Sequence, residues 1–144
     1  MNNWIETYRG VVYPWHCDHL DHMNVQHYVG MFDQASWHLL EAVGISFAFG
    51  EDHAETLVDA QHTIQYKVEQ RAGDLVKIES AFTRIGTKSI TFLHRMINCK
   101  TGMVAATSEV VEVYFDTTTR TSAPISDELR GKIAPHLVDG SFTP

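Results

Sequence analysis

Cysteine is nearly missing: Cys17 and Cys99 are the only two in 144 residues. They form no C-x-x-C pair, so neither a disulfide framework nor a zinc ribbon is expected. Positive charge is also short. Eleven Lys and Arg stand against eighteen Asp and Glu, a formal net charge of −7, which argues against a broad nucleic-acid or anionic-membrane surface. An anionic small molecule would need a local basic patch. No run of about 18 apolar residues occurs, so no membrane-spanning helix is expected, and the opening MNNWIETYRG lacks a basic segment followed by an apolar one. The expectation is a cytoplasmic protein with no nucleic-acid or membrane partner. No repeat, low-complexity tract or Pro/Ser/Gly linker interrupts the chain, and its length suits a single domain over residues 1–144.

Histidine is plentiful, with nine residues, and three of them fall in WHCDHLDHMN at positions 15–24. Residues 4–13 read as a strand and Pro14 ends regular pairing, which makes the histidine-rich stretch a loop. From Val25 the period changes. Val25, Tyr28, Val29, Phe32, Ala35, Ser36, Leu39, Leu40 and Val43 recur at three-and-four spacing and predict one long amphipathic helix, capped by Asn24 and ended by Gly44. Residues 45–55 look irregular. Val58, Ala60, His62, Ile64, Tyr66 and Val68 then alternate with polar residues, a half-buried strand with the named side turned inward. Strand-like runs follow at 74–85, 88–98 and 103–116, separated by short turns at 71–73, 85–87 and 100–102. Ser126 to Ala134 reads as a short helix before Pro135. The sum is an α+β architecture, a long helix against one face of an antiparallel sheet.

The order strand, Asp18-His19-Leu20-Asp21-His22-Met23-Asn24, long helix, TIQYKVEQRAGD (63–74), TRIGTKSITF (83–92) and VVEVYFDTTTR (110–120) resembles the hot dog-fold acyl-CoA thioesterases of the 4-hydroxybenzoyl-CoA thioesterase family. The likeness covers roughly residues 5–130. It extends to Tyr66, to the Gly73-Asp74 pair and to Arg84, Gly86 and Ser89, and it departs at Asp21, where many members have Gly. The resemblance implies a five-stranded antiparallel sheet wrapped around one central helix, assembled as a homodimer or homotetramer. It also implies hydrolysis of an acyl-CoA to a carboxylic acid and free CoA. Other readings of such a fold are a hydratase or dehydratase, and an acyl-CoA or acyl-carrier binding module without turnover.

The chemistry has its own logic. Thioester hydrolysis needs an activated water or a nucleophile, plus donors for the developing oxyanion. A helix starting near Asn24 presents free N–H groups and the positive end of its dipole there. Asp18, on the preceding turn, either caps that turn or returns its carboxylate to the same spot. The resemblance makes Asp18 the catalytic residue, the backbone N–H of Val25 the oxyanion donor, and His22 and Asn24 substrate-positioning residues. Tyr28, Asp33 and Trp37 are the substrate-facing candidates on the helix, Asp33 and Trp37 lying at the edge of its apolar stripe. Trp15, Phe32 and Trp37 suggest a small aromatic-lined pocket for an aryl, short-chain or quaternary ammonium acyl group. His62, on the inward side of its strand, reads as a hydrogen-bonded core histidine.

CoA brings phosphates that need cations. Arg84, Lys88 and Arg95 cluster around one hairpin, and the resemblance makes Arg84, Gly86, Thr87, Lys88 and Ser89 the nucleotide contact. Read as a plain turn, the same residues are solvated charges around Gly86. His16, His19, His22, Cys17, Asp18 and Asp21 are enough ligands for a metal, but a loop after Pro14 does not fix them on one face. No metal and no redox cofactor are expected; CoA enters as part of the substrate.

Overall fold

The computed structural model describes residues 3–46 and 55–138. Strand β1 (Ile5–Val11) leads through a single 3-10 turn at Pro14–His16 and the histidine loop into helix α1 (Val25–Ala42). Strands β2 (Glu55–Tyr66), β3 (Leu75–Ile85), β4 (Ser89–Asn98) and β5 (Val104–Asp116) follow, then a two-residue β6 (Thr121–Ser122) and helix α2 (Asp127–Ile133). All pairings are antiparallel, in the order β1-β3-β4-β5-β2, with β6 added on β5. This is the α+β hot dog arrangement, with the small β6 as an addition to the five expected strands. Most of the stretch expected to be irregular, 45–55, lies outside the described residues.

The helix forms where its spacing places it. Asn24 caps it, its Oδ1 accepting from the Gln26 N–H at 3.1 Å, and Gly44 at φ +85° turns the chain away. Its apolar stripe closes two core clusters. One joins Leu39, Leu40 and Val43 to Phe82, Ile90, Phe92 and Tyr114. The other joins Tyr28, Met31, Phe32 and Ala35 to Val76, Ile78, Met96 and Ala106. Each fully buried Phe or Ile of this set contributes about 1.5–3 kcal/mol relative to exposure. The helix packs on β1 and β3, so its flank toward β2 is left as an open seam.

Strand β2 departs from the expected alternation. It begins at Glu55 and ends at Tyr66, and its register slips between Asp59 and Gln61, where β5 advances only from Glu112 to Val111. Ala60 is the extra residue of a β-bulge, which reverses the facing of everything before it. Leu57 and Asp59 are therefore on the helix side ahead of the bulge, Asp59 still exposed there, and His62 and Ile64 are on it after the bulge, while Val58 and Ala60 are exposed on the other face.

Candidate active site

The histidine loop is held at the Leu75 end of β3. The Val12 N–H donates to the Asp74 carbonyl at 2.8 Å and the Gly73 N–H to the Val12 carbonyl at 2.7 Å. Gln70, 1% exposed, anchors the loop by accepting from the Met23 N–H at 2.8 Å, and its own amide oxygen is held by Asn98 Nδ2 at 2.8 Å. Within the loop Asp21 takes φ +59°, so the turn the resemblance associates with Gly is made here by an Asp, a residue that tolerates the left-handed region.

This scaffold brings Asp18 to the tip of α1. Asn24 Nδ2 donates to Asp18 Oδ2 at 3.0 Å and the Leu20 N–H to Asp18 Oδ1 at 3.0 Å. The Asn24 side-chain donor, then the Leu20 amide, hold the Asp18 carboxyl below its ordinary value, so it is an anion at neutral pH. The first-turn amides are partly used. Gln26 donates to the Asn24 side chain and His27 to the Asn24 carbonyl; the Val25 N–H has no acceptor among the described residues.

Asp18, His22, Val25 and Tyr28 line one open cleft of about 370 Å³, together with Tyr66 and Glu69. His22 Nε2 lies 3.0 Å from Glu69 Oε2, which ties the loop to the end of β2. Tyr28 packs edge-on against Tyr66 at 5.1 Å, and burial pushes its phenol up to about 12. It is a neutral group in this cleft. Tyr66 and Glu69 were invisible as site residues to periodicity alone; Tyr66 entered only through the resemblance.

Asp33 and Trp37 lie elsewhere, in a second cavity between mid-α1 and the Glu55 end of β2. The expected aromatic trio does not assemble. Phe32 is buried and stacked on His94 at 5.6 Å, and Trp15 stacks on Tyr13 at 4.4 Å in the loop. Only Trp37 of the three lines a cavity. The core histidine is also not His62, whose Nε2 has no hydrogen-bond partner among the described residues. It is His94, which meets Ser36 Oγ at 2.9 Å and Ser80 Oγ at 2.5 Å and is pushed down to about 3, chiefly by burial. The signal was present: Ile90, Phe92, His94 and Met96 alternate inward on β4, as Val110, Glu112 and Tyr114 do on β5.

The Arg84–Ser89 turn sits at the far end of β3. Its backbone is well used: the Gly86 N–H donates to the Ser89 carbonyl, the Lys88 carbonyl accepts from the Tyr114 N–H, the Thr87 carbonyl from the Ile125 N–H, and the Gly86 carbonyl from Arg130 at 2.9 Å. A Cβ on Gly86 would stand 3.1 Å from Ser89 Oγ. Arg84, Thr87 and Lys88 are exposed. Arg95 does not join them, because it pairs with Glu79 at 2.9 Å and lies over Trp4 at 4.0 Å. Arg130, unremarked in the sequence, adds a cation instead. Ten residues of β3, about 33 Å at 3.3 Å per residue, separate this turn from the Asp18 end of the same chain. Among the described residues no three His, Cys, Asp or Glu side chains converge as metal ligands.

The model of the thioesterase-like superfamily matches residues 12–133. Over 119 residues the chain is 27% identical to the L-carnitine dehydrogenase/betainyl-CoA thioesterase of Rhizobium meliloti (strain 1021), a match that covers 82% of this chain and 24% of that protein. The chain thus spans about a quarter of the length of that curated relative. Among solved structures, a Staphylococcus aureus protein in complex with CoA is similar at a TM-score of 0.84 and 20% identity, over 97% of this chain and 89% of that one. The 12:0-ACP thioesterase from Umbellularia californica is similar at 0.84 and 19%, over 96% and 52%. A 1,4-dihydroxy-2-naphthoyl-CoA thioesterase from Synechocystis is similar at 0.74 and 16%, over 88% and 93%.

Proposed function

The chain belongs to the thioesterase-like superfamily, and from that premise we propose that it is an acyl-CoA thioesterase. The observation that carries this reading is the Asp18 carboxylate fixed by Asn24 beside the unused Val25 N–H. In the reading, the thioester carbonyl oxygen sits at that N–H and the helix dipole, which oppose the charge it gains. Asp18 acts as base for water or as the attacking oxygen. With Asp18 as base, water adds to the carbonyl as Asp18 takes its proton, and the tetrahedral intermediate expels CoA thiolate, which takes up that proton as the carboxylic acid departs. With Asp18 as the attacking oxygen, loss of the thiolate leaves a mixed anhydride that water hydrolyses, one water proton going to the thiolate.

The reading includes a homodimer. Strand β2 is a twelve-residue edge, and Val58 and Tyr66 on it are exposed; such an edge is a template for a second copy. A two-fold through the middle of β2 would lay the Glu55 end of one copy beside the Tyr66 end of the other. Ser89 and Val58 both pair with Val113, so the Arg84–Ser89 turn shares the Glu55 end. Arg84 and Lys88 of one copy would then reach the Asp18 cleft of the other, where CoA phosphates need them.

The test is free-thiol release across a panel of acyl-CoA esters, with wild type beside Asp18→Asn. The substitution is expected to lower kcat by about 10²-fold or more while CoA affinity stays similar. Unchanged turnover in a folded Asp18→Asn protein would remove the mechanism.

A further inference from the structure

The second cavity, of about 160 Å³, has walls that include Asp33, Ser36, Trp37, Leu57, Asp59 and Glu112. Three carboxyl groups meet there, and no Lys or Arg lines it. Glu112 is the most unusual. It points inward from strand β5, between β4 and β2, is 6% exposed, stands opposite Asp59 in the register, and leaves Oε1 without a hydrogen-bond partner among the described residues. A buried polar atom left unsatisfied destabilises the fold, and an aliphatic side chain at this position would avoid that cost. Glu112 Oε1 is thus available to what enters the cavity.

Glu112 keeps its proton, pushed up to about 9 by burial and by the Asp59 carboxyl beside it, and Asp33 and Asp59 add two further carboxyl groups to the wall. His94, behind Ser36, is neutral and offers no counter-charge. His62 Nε2 approaches Asp59 Oδ2 at 3.4 Å, without hydrogen-bond geometry, and does not line the cavity. The rest of the wall is Leu40, Leu57 and the half-exposed Trp37 indole, with the Ser36 and Thr56 hydroxyl residues among them. Carboxyl groups combined with aliphatic and indole surface suit a cation whose charge is wrapped in methyl groups; a bare ammonium holds its water more strongly.

Size and position narrow the ligand. A cavity on the order of 150 Å³ holds a benzene-sized group and no long chain. Asp33 follows Val25 by eight residues, about 12 Å along the helix axis. Asp33 is the lining residue on α1 nearest the Val25 N–H, with Ser36, Trp37 and Leu40 farther along the helix. We propose that this cavity is the acyl pocket and selects a compact acyl group bearing a quaternary ammonium, with Asp33 and Asp59 as the specificity-determining residues beside the buried Glu112. The assignment rests on the thioesterase reading above.

The test compares trimethylammonioacetyl-CoA with 3,3-dimethylbutanoyl-CoA, which replaces the nitrogen by carbon and keeps the shape. The cationic ester is expected to have the higher kcat/KM, by at least about tenfold, as a partly desolvated charge contact implies. Asp33→Asn and Asp59→Asn should each reduce that ratio. A ratio near one in wild type, with both esters hydrolysed, overturns the pocket assignment and leaves the thioesterase reading standing. Calorimetric binding of the product, trimethylammonioacetate, gives a readout apart from turnover. Saturable binding that weakens in Asp33→Asn, on the exposed helix flank, supports the pocket even if no ester is cleaved; absence of binding to wild type overturns it.

Discussion

Two carboxyl groups of this chain are driven in opposite directions by their surroundings. Asp18 is half-buried and held down by an amide side chain and a backbone N–H, so it stays an anion. Glu112 is buried beside another acid and held up to about 9. The latter shift has a consequence for stability. Below the ordinary carboxylate value of 4.5, Glu112 is protonated in folded and unfolded chains alike, and pH has no effect through it. As pH rises from there toward 9, the unfolded chain ionises while the folded one keeps its proton, so stability falls across that window. Glu112→Gln removes this loss. Its Tm relative to wild type is expected to be higher at pH 8 than at pH 4.5, by scanning calorimetry at both; an equal offset at the two pH values would mean that Glu112 is ionised in the folded protein.

Helix α1 and strand β2 differ in how openly the sequence announces them. The helix was legible because three-and-four spacing, Asn24 and Gly44 all agree. The turns at Gly73 and Gly102 take positive φ, as their composition implied. In β2 the bulge at Ala60 carries no glycine to mark it, and strict alternation therefore put Asp59 on the solvent side instead of opposite Glu112. The same limit hid the cavity, since its walls come from α1, β2 and β5, which only register brings together. The α1 cap unites structure and chemistry in one side chain: Asn24 Oδ1 caps Gln26 while Nδ2 holds Asp18. Asn24→Ala is expected to lose about 1 kcal/mol of stability, whereas Asn24→Asp keeps most of the cap. Both remove the donor that favours the charged form of Asp18, so both should move the acid limb of the pH–rate profile upward. A limb that stays in place would identify some other titrating group.

At the scale of the whole molecule, the separation of Asp18 from the Arg84–Ser89 turn along β3 turns the shared-site proposal into a mixing experiment. Asp18→Asn and Arg84→Ala/Lys88→Ala proteins are each expected to be poor at low substrate concentration. Dissociated and reassociated together, random pairing yields heterodimers with one intact and one doubly damaged site, which restores about a quarter of wild-type activity. No restoration, with heterodimers confirmed by mass spectrometry, would place both elements of a site in one chain.

The open seam between α1 and β2 has a consequence for how such a protein changes over evolutionary time. Asp59 and Trp37 stand on an edge strand and a helix flank, outside the Phe82–Phe92 and Met31–Val76 clusters that hold the fold. Replacing them alters what the cavity accepts while leaving those clusters packed, so the stability threshold that filters most mutations bears on them only weakly. New acyl preferences are therefore within reach of single substitutions, on a scaffold whose helix tip and loop stay as they are.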